Sequence, residues 1–150
     1  MRARLRMLLP MLALLSSACP AKGEPPVSPQ AAARTHAQNY KDMVLAACVA
    51  HAYKDDKGAP VDAGSSASAL RDWTVYDMEQ SPDAVRSLVD GYLSRDYTNP
   101  LAEAEIKGIR FDFLKCLDMY HGPELDAQAR RLVIDPGRVD RQGSIAPPRP

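Results

Sequence analysis

Apolar side chains recur along this 150-residue chain at intervals of three and four, with no long alternating runs. That spacing predicts helices, and the scarcity of clustered β-branched residues argues against strands. From Ala31 to about Tyr53, the side chains of Tyr40, Val44, Ala47, Cys48 and His51 share one face. From Pro82 to about Tyr97, Val85, Leu88, Val89, Tyr92 and Leu93 fit the same template. Ser81 is expected to cap that helix, with Pro82 at its first position and Asp83 in its first turn. A further stripe holds Ile106, Ile109, Phe113, Cys116, Leu117 and Tyr120, and ends at Gly122-Pro123, which also opens the next helix. Leu125, Ala129, Leu132 and Val133 give that last helix its apolar face. Residues 65–78, a small-residue stretch leading to Trp73, are expected to be helical too, with loops at 55–64 and 98–102. The prediction is an all-α fold, a single domain of four or five helices.

The N-terminus carries an address. Arg2, Arg4 and Arg6 precede an apolar run from Met7 to Leu15, then Ser16-Ser17-Ala18-Cys19. This order is that of a secretory signal over residues 1–18, and its apolar run is too short to span a bilayer. The tract ending at Cys19 resembles a bacterial lipobox, in which the cysteine becomes the lipid-modified first residue. Ser16, where that pattern prefers Leu, departs from it. Ordinary cleavage after Ala18 or Ala21 is the alternative and leaves a soluble protein. Residues 19–30 form a Pro-rich spacer, residues 31–134 the helical domain, and residues 135–150 a polar, Pro- and Gly-containing flexible tail. Roughly a hundred residues suffice for one modest core.

Charge narrows the partners. The full chain balances 19 basic against 19 acidic residues, and loss of the three leader arginines leaves 16 against 19. A mildly acidic protein lacks the electrostatic footprint of a nucleic-acid binder. It offers no polybasic surface to lipid either, so membrane contact is expected only through an N-terminal anchor. The acids Asp55, Asp56, Asp72, Asp77, Glu79 and Asp83 read as a solvated face, or as a complementary patch for a basic partner.

Cys48 and Cys116 both lie on apolar helical stripes. In an exported protein, such a pair favours a disulfide over two thiols. Two other readings stay open. His51 and His121 beside the cysteines give a zinc-like set of residue types, although a Cys-x-x-x-x-His pair across a helix end is not a standard spacing. A Cys-His hydrolase would need an exposed, activated thiolate at positions that look buried. His51 and His121 are expected at helix ends, and His36 in solvent. No Gly-rich phosphate loop, Gly-x-Ser-x-Gly or His-Glu-x-x-His string is present. No catalytic residue, metal or cofactor is expected.

Three strings carry a family resemblance: Ala46-Ala47-Cys48-Val49-Ala50-His51-Ala52-Tyr53-Lys54-Asp55, Ser66-Ala67-Ser68-Ala69-Leu70, and Leu114-Lys115-Cys116-Leu117-Asp118-Met119-Tyr120-His121-Gly122-Pro123-Glu124-Leu125-Asp126. They resemble the motifs of the type VI secretion amidase immunity family, the partners of the fourth class of amidase effectors, across roughly residues 38–134. The resemblance implies a periplasmic, all-helical, often dimeric protein without enzymatic activity. Its partner would be a secreted peptidoglycan amidase whose substrate groove it occludes. Cys48 and Cys116 match the two motif cysteines, so the resemblance implies a disulfide between them. Trp73, Tyr76, Asp77 and Glu79, an aromatic pair flanked by acids, are the candidate anchors for that partner, with Trp73 as a core tryptophan the competing reading. The other function classes in view are an envelope lipoprotein with a structural role and the small hydrolase above.

Overall fold

Thr35 decides where the first long helix begins. In the computed structural model, which describes residues 29–139, a 3-10 turn at Gln30–Ala33 gives way to α1, His36–Ala52. The Thr35 hydroxyl accepts from the Gln38 N–H, and the Gln38 side chain accepts from the Thr35 N–H, a reciprocal capping box. The expected continuous helix from Ala31 is therefore split. The next two N–H groups of α1 donate to carbonyls far along the chain: His36 to Arg138 at 2.8 Å and Ala37 to Pro136 at 3.0 Å. Otherwise unpaired donors at a helix start are thus satisfied by residues 135–139, the beginning of the expected tail. Residues 1–28, which hold the expected signal and Cys19, and residues 140–150 lie outside the described residues.

The chain continues through α2 (Ala59–Leu70), a 3-10 turn at Arg71–Trp73, α3 (Ser81–Leu93), α4 (Pro100–Glu105), α5 (Asp112–His121) and α6 (Pro123–Leu132). Six α-helices and no strand stand among the described residues, in one all-α domain. The added helices arise from caps inside segments expected to be loops. Asp56 accepts from the N–H groups of Gly58 and Ala59 and starts α2 before residue 65. Asn99 accepts from Leu101 and Ala102, and Glu103 reaches back to the Asn99 N–H, which starts α4 inside 98–102. The small-residue helix expected over 65–78 ends at Leu70.

The long stripe from Ile106 to Tyr120 breaks. Gly108 (φ 76°) and Phe111 (φ 54°) both take left-handed backbone, so α5 starts only at Asp112. Ile106 and Phe113, expected inside, are 59% and 50% exposed. What α5 buries is Lys115, Cys116 and Met119.

Helix α1 is the spine, packed against α2, α3, α5 and α6. Tyr40, Val44 and Cys48 are fully buried on it, meeting Val89 and Tyr92 of α3, Cys116 and Met119 of α5, and Leu125, Ala129 and Leu132 of α6. Cys48 and Cys116, 68 positions apart in sequence, are bonded, with Cα atoms 5.8 Å apart. Both sulfurs are thereby consumed, which removes the zinc and hydrolase readings together. His51 lies exposed 3.4 Å from Asp90. His36, expected in solvent, is fully buried, its Nδ1 donating to the Ile134 carbonyl at 3.0 Å. Ser81 is also buried, and its hydroxyl meets Tyr40 Oη at 2.7 Å instead of capping α3.

Two stability predictions follow from this packing. In the chain-entropy account, closing a loop of this length contributes about 4 kcal/mol, so Cys48→Ala/Cys116→Ala should lose about that much in urea unfolding. A loss near zero would show that the helices need no covalent tie. At Gly122 the backbone is ordinary, but an added Cβ would stand 2.4 Å from Tyr92 Oη, 2.9 Å from Glu124 Oε2 and 3.0 Å from the Asp118 carbonyl. Gly122→Ala should therefore cost about 1–3 kcal/mol by displacing the buried tyrosine. An unchanged melting curve would contradict this.

Candidate functional site

The family-like string in α5 and α6 turns out to tie these helices to the rest of the chain. Lys115, almost fully buried, donates to the Leu93 carbonyl and to Asp112 Oδ1, each at 3.1 Å. Asp118 accepts from Tyr97 at 2.7 Å, Tyr120 donates to Asp42 at 2.9 Å, and Glu124 accepts from Tyr92 at 2.8 Å. Asp126 meets Lys41 at 2.6 Å. The Lys41 ammonium also sits 5.0 Å from the centre of the Tyr120 ring. Burial first, and then the Asp42 carboxylate, push the Tyr120 hydroxyl above its ordinary pKa. Lys41 chiefly holds Asp126 below its own. With Cys116 in the disulfide, these polar motif residues form joints within the chain, while Asp42 and Tyr120 also line an open hollow with Arg34, Gln38 and Ser66.

The segment expected to anchor a partner joins α2 to α3. Thr74 turns the chain extended after Trp73, and Val75–Asp77 then run antiparallel to Leu132–Ile134. The Asp77 N–H donates to the Leu132 carbonyl and the Ile134 N–H to the Val75 carbonyl, each at 2.9 Å. Alternation along this short pairing sends Tyr76 and Val133 inward, and leaves Val75 and Ile134 43% and 52% exposed. Tyr76 packs edge-on against Tyr40 with ring centres 5.5 Å apart. Asp77 then closes a turn: its carboxylate accepts from the N–H groups of Glu79 and Gln80 and from the Gln80 amide. These bonds, the one from the Gln80 backbone foremost, hold its carboxyl below the ordinary value. At the tip stand Glu79, exposed, and Met78, 65% exposed.

The four expected anchors thus occupy different settings. Tyr76 lies in the core, and the Asp77 carboxylate is committed to its own turn. Trp73 is half-buried, with its indole nitrogen inside and its carbonyl accepting from Asn39 at 2.9 Å. Only Glu79 projects freely. The exposed tip that results is formed by Met78 and Glu79 over a pinned base. Sequence reasoning passed over Met78, although its place beside the turn-forming Asp77 could have marked it.

A second exposed surface follows α3. Two adjoining hollows share Phe111 and Leu114 as their ridge, one edged by Tyr53 and Gly108–Phe113, the other by Asp96–Asn99. Arg110 and Asp112, both on the wall of the first hollow, pair at 2.8 Å. Phe111 (φ 54°, ψ 31°) is a bulky residue in left-handed backbone, a conformation that persists only where the surroundings impose it. Phe113 and Leu114, which line these hollows, are 50% and 47% exposed.

Comparison with known proteins fits this architecture. The chain matches the family described as type VI secretion system (T6SS), amidase immunity protein over residues 38–129, from α1 into α6. It is similar to a solved structure from Serratia marcescens, determined among new type VI-secreted toxins and self-resistance proteins: 28% identity, 82% of this chain and 97% of that one covered, TM-score 0.69. It is also similar in fold to a chain of the Tae4/Tai4 effector–immunity system of Salmonella typhimurium, with 22% identity, 70% and 96% coverage and a TM-score of 0.56. No curated protein matches it in sequence. The helices, their disulfide and a match that spans the core place this chain in the type VI secretion system amidase immunity protein family.

Proposed function

We propose that this protein is the periplasmic immunity partner of a type VI secreted cell-wall amidase, and that it protects by seating itself in the enzyme's substrate cleft. Membership of the immunity family carries this reading. The buried Cys48–Cys116 bond supports an oxidising compartment, consistent with the export signal read in the leader. Its role is that of a binder, with no reaction step of its own, and it works as a homodimer, tethered to the membrane through Cys19 if that residue is lipidated.

The Asp77–Gln80 turn is the proposed plug. A cleft is best filled by a pre-ordered element, because little conformational freedom is then lost on binding. The turn meets that requirement: its carboxylate satisfies two backbone donors, and its flank is paired to residues 132–134. Met78 supplies a flexible apolar contact at the tip, and Glu79 a charge on its rim. Trp73, Tyr76 and Asp77 hold that tip in place, Tyr76 through Tyr40 and Asp77 through its three accepted bonds.

Mixing the protein with its cognate amidase should abolish release of peptide fragments from purified peptidoglycan at a small molar excess. Full amidase activity under those conditions would overturn the reading. Met78→Asp and Glu79→Lys should each weaken inhibition by about tenfold or more with an unchanged melting temperature, as expected for central interface contacts. Undiminished inhibition by both variants would leave immunity standing but move the contact surface away from this turn.

A further inference from the structure

The segment that follows α6 is bonded to two distant places at once. On one side, the Ile134 N–H donates to the Val75 carbonyl at 2.9 Å, at the base of the 77–80 turn. On the other, the Ile134 carbonyl accepts from Nδ1 of His36, the first residue of α1. Further along, the Arg138 carbonyl accepts the backbone N–H of the same His36 at 2.8 Å, and the Pro136 carbonyl that of Ala37 at 3.0 Å. Between these points the chain bends back on itself: Asp135 takes left-handed backbone (φ 49°), and its carbonyl accepts from the Arg138 N–H at 2.9 Å. His36 is closed to solvent, whereas Ile134 is 52% exposed. What Ile134 contributes is therefore main-chain bonding more than apolar area. Both residues lie outside residues 38–129, so the family match does not rest on them.

We infer, taking the 77–80 turn as the plug, that residues 133–139 form a strap that positions this turn, and that His36 is the positioning residue that fixes the strap. The pairing of 75–77 with 132–134 is short, and so short a ladder is marginal unless something else holds its strands. At one end the buried Leu132 and Val133 hold it. At the other, Ile134 is the last paired residue, and the His36 ring holds its carbonyl. Lifting the strap would strip that buried ring nitrogen of its acceptor, which makes opening costly. Tyr76 fixes the depth of the segment in the core, and Asp77 the curvature of the tip. The strap holds the edge that neither reaches, at Val75. A tip held in its bound shape loses little freedom on docking, so a loosened strap should cost affinity.

Amide hydrogen exchange and amidase inhibition, measured on single variants of the mature chain, test this together. His36→Leu removes the ring donor, and His36→Asn keeps a side-chain N–H close to the Nδ1 position. Ile134→Pro removes the N–H given to Val75, at an exposed residue whose neighbour Val133 already has the extended backbone (ψ 130°) that a following proline requires. In His36→Leu and Ile134→Pro, exchange at Asp77, Glu79 and Gln80 should quicken about tenfold more than at Val44 and Cys48, the mark of local opening. The inhibition constant should rise by roughly fivefold or more as the tip loses its order. His36→Asn should recover most of both effects. Equal quickening at the turn and at Val44 and Cys48 would make His36 a general stabiliser and overturn the strap, as would unchanged exchange at the turn. A turn that quickens while inhibition holds would keep the strap as its support and overturn the plug reading instead.

Discussion

The buried bond between Cys48 and Cys116 is the constraint on which the arrangement of helices depends. It joins the central helix to α5 at the point where both are fully closed to solvent. A domain of about a hundred residues has a small core, and its net stability is the small difference between large opposing terms. One covalent tie between elements 68 positions apart therefore carries weight that a larger protein would draw from apolar area. The tie also fixes the register of α5 on α1. That register brings Tyr120 to Asp42, and α6, which follows after Gly122 alone, brings Asp126 to Lys41.

Around that bond the polar motif residues act as a second set of joints. Lys115, Asp118, Glu124 and Asp126 reach outside their own helices: Lys115 and Glu124 to Leu93 and Tyr92 of α3, Asp118 to Tyr97 after it, and Asp126 to Lys41 of α1. The exposed pairs among them, such as Tyr97 with Asp118, contribute little singly. Their use lies in specifying one packing among several that the apolar faces alone would allow. The family-like string is thus a signature of the fold, and the exposed turns are spared that internal role. Such a division suits a binder: a fixed scaffold carries a tip whose residues can differ without disturbing the core.

The fold was largely legible from spacing. Tyr40, Val44 and Cys48 on one face of α1, Val89 and Tyr92 on α3, and Leu125, Ala129 and Leu132 on α6 are core residues as their periodicity predicts. What misled was the continuity of an apolar stripe. Ile106 and Ile109 keep helical spacing with Phe113 and Cys116 in sequence, but left-handed backbone at Gly108 and Phe111 separates them from α5. A periodicity cannot register a break of this kind, since the glycine that permits it looks tolerable within a helix. The candidate site was legible only in part. Tyr76 and Asp77 lie in the right loop for a rigid turn, yet which of its residues face outward depended on pairing with residues 132–134, more than fifty positions away.

By itself the sequence determined the class of fold, the two sulfurs that would bond, and the family, because helical period, residue type and short strings are local properties. The tertiary structure alone decided which side chains are spent on internal joints and which remain for a partner. His36 and Ser81 went inside because distant groups, the Ile134 carbonyl and the Tyr40 hydroxyl, arrived to satisfy them. Ile106 went outside because the chain turned before it reached the core, and Phe113 because α5 buries the face that carries Cys116 and Met119. Burial is settled by what the rest of the molecule brings alongside, and no local pattern contains that.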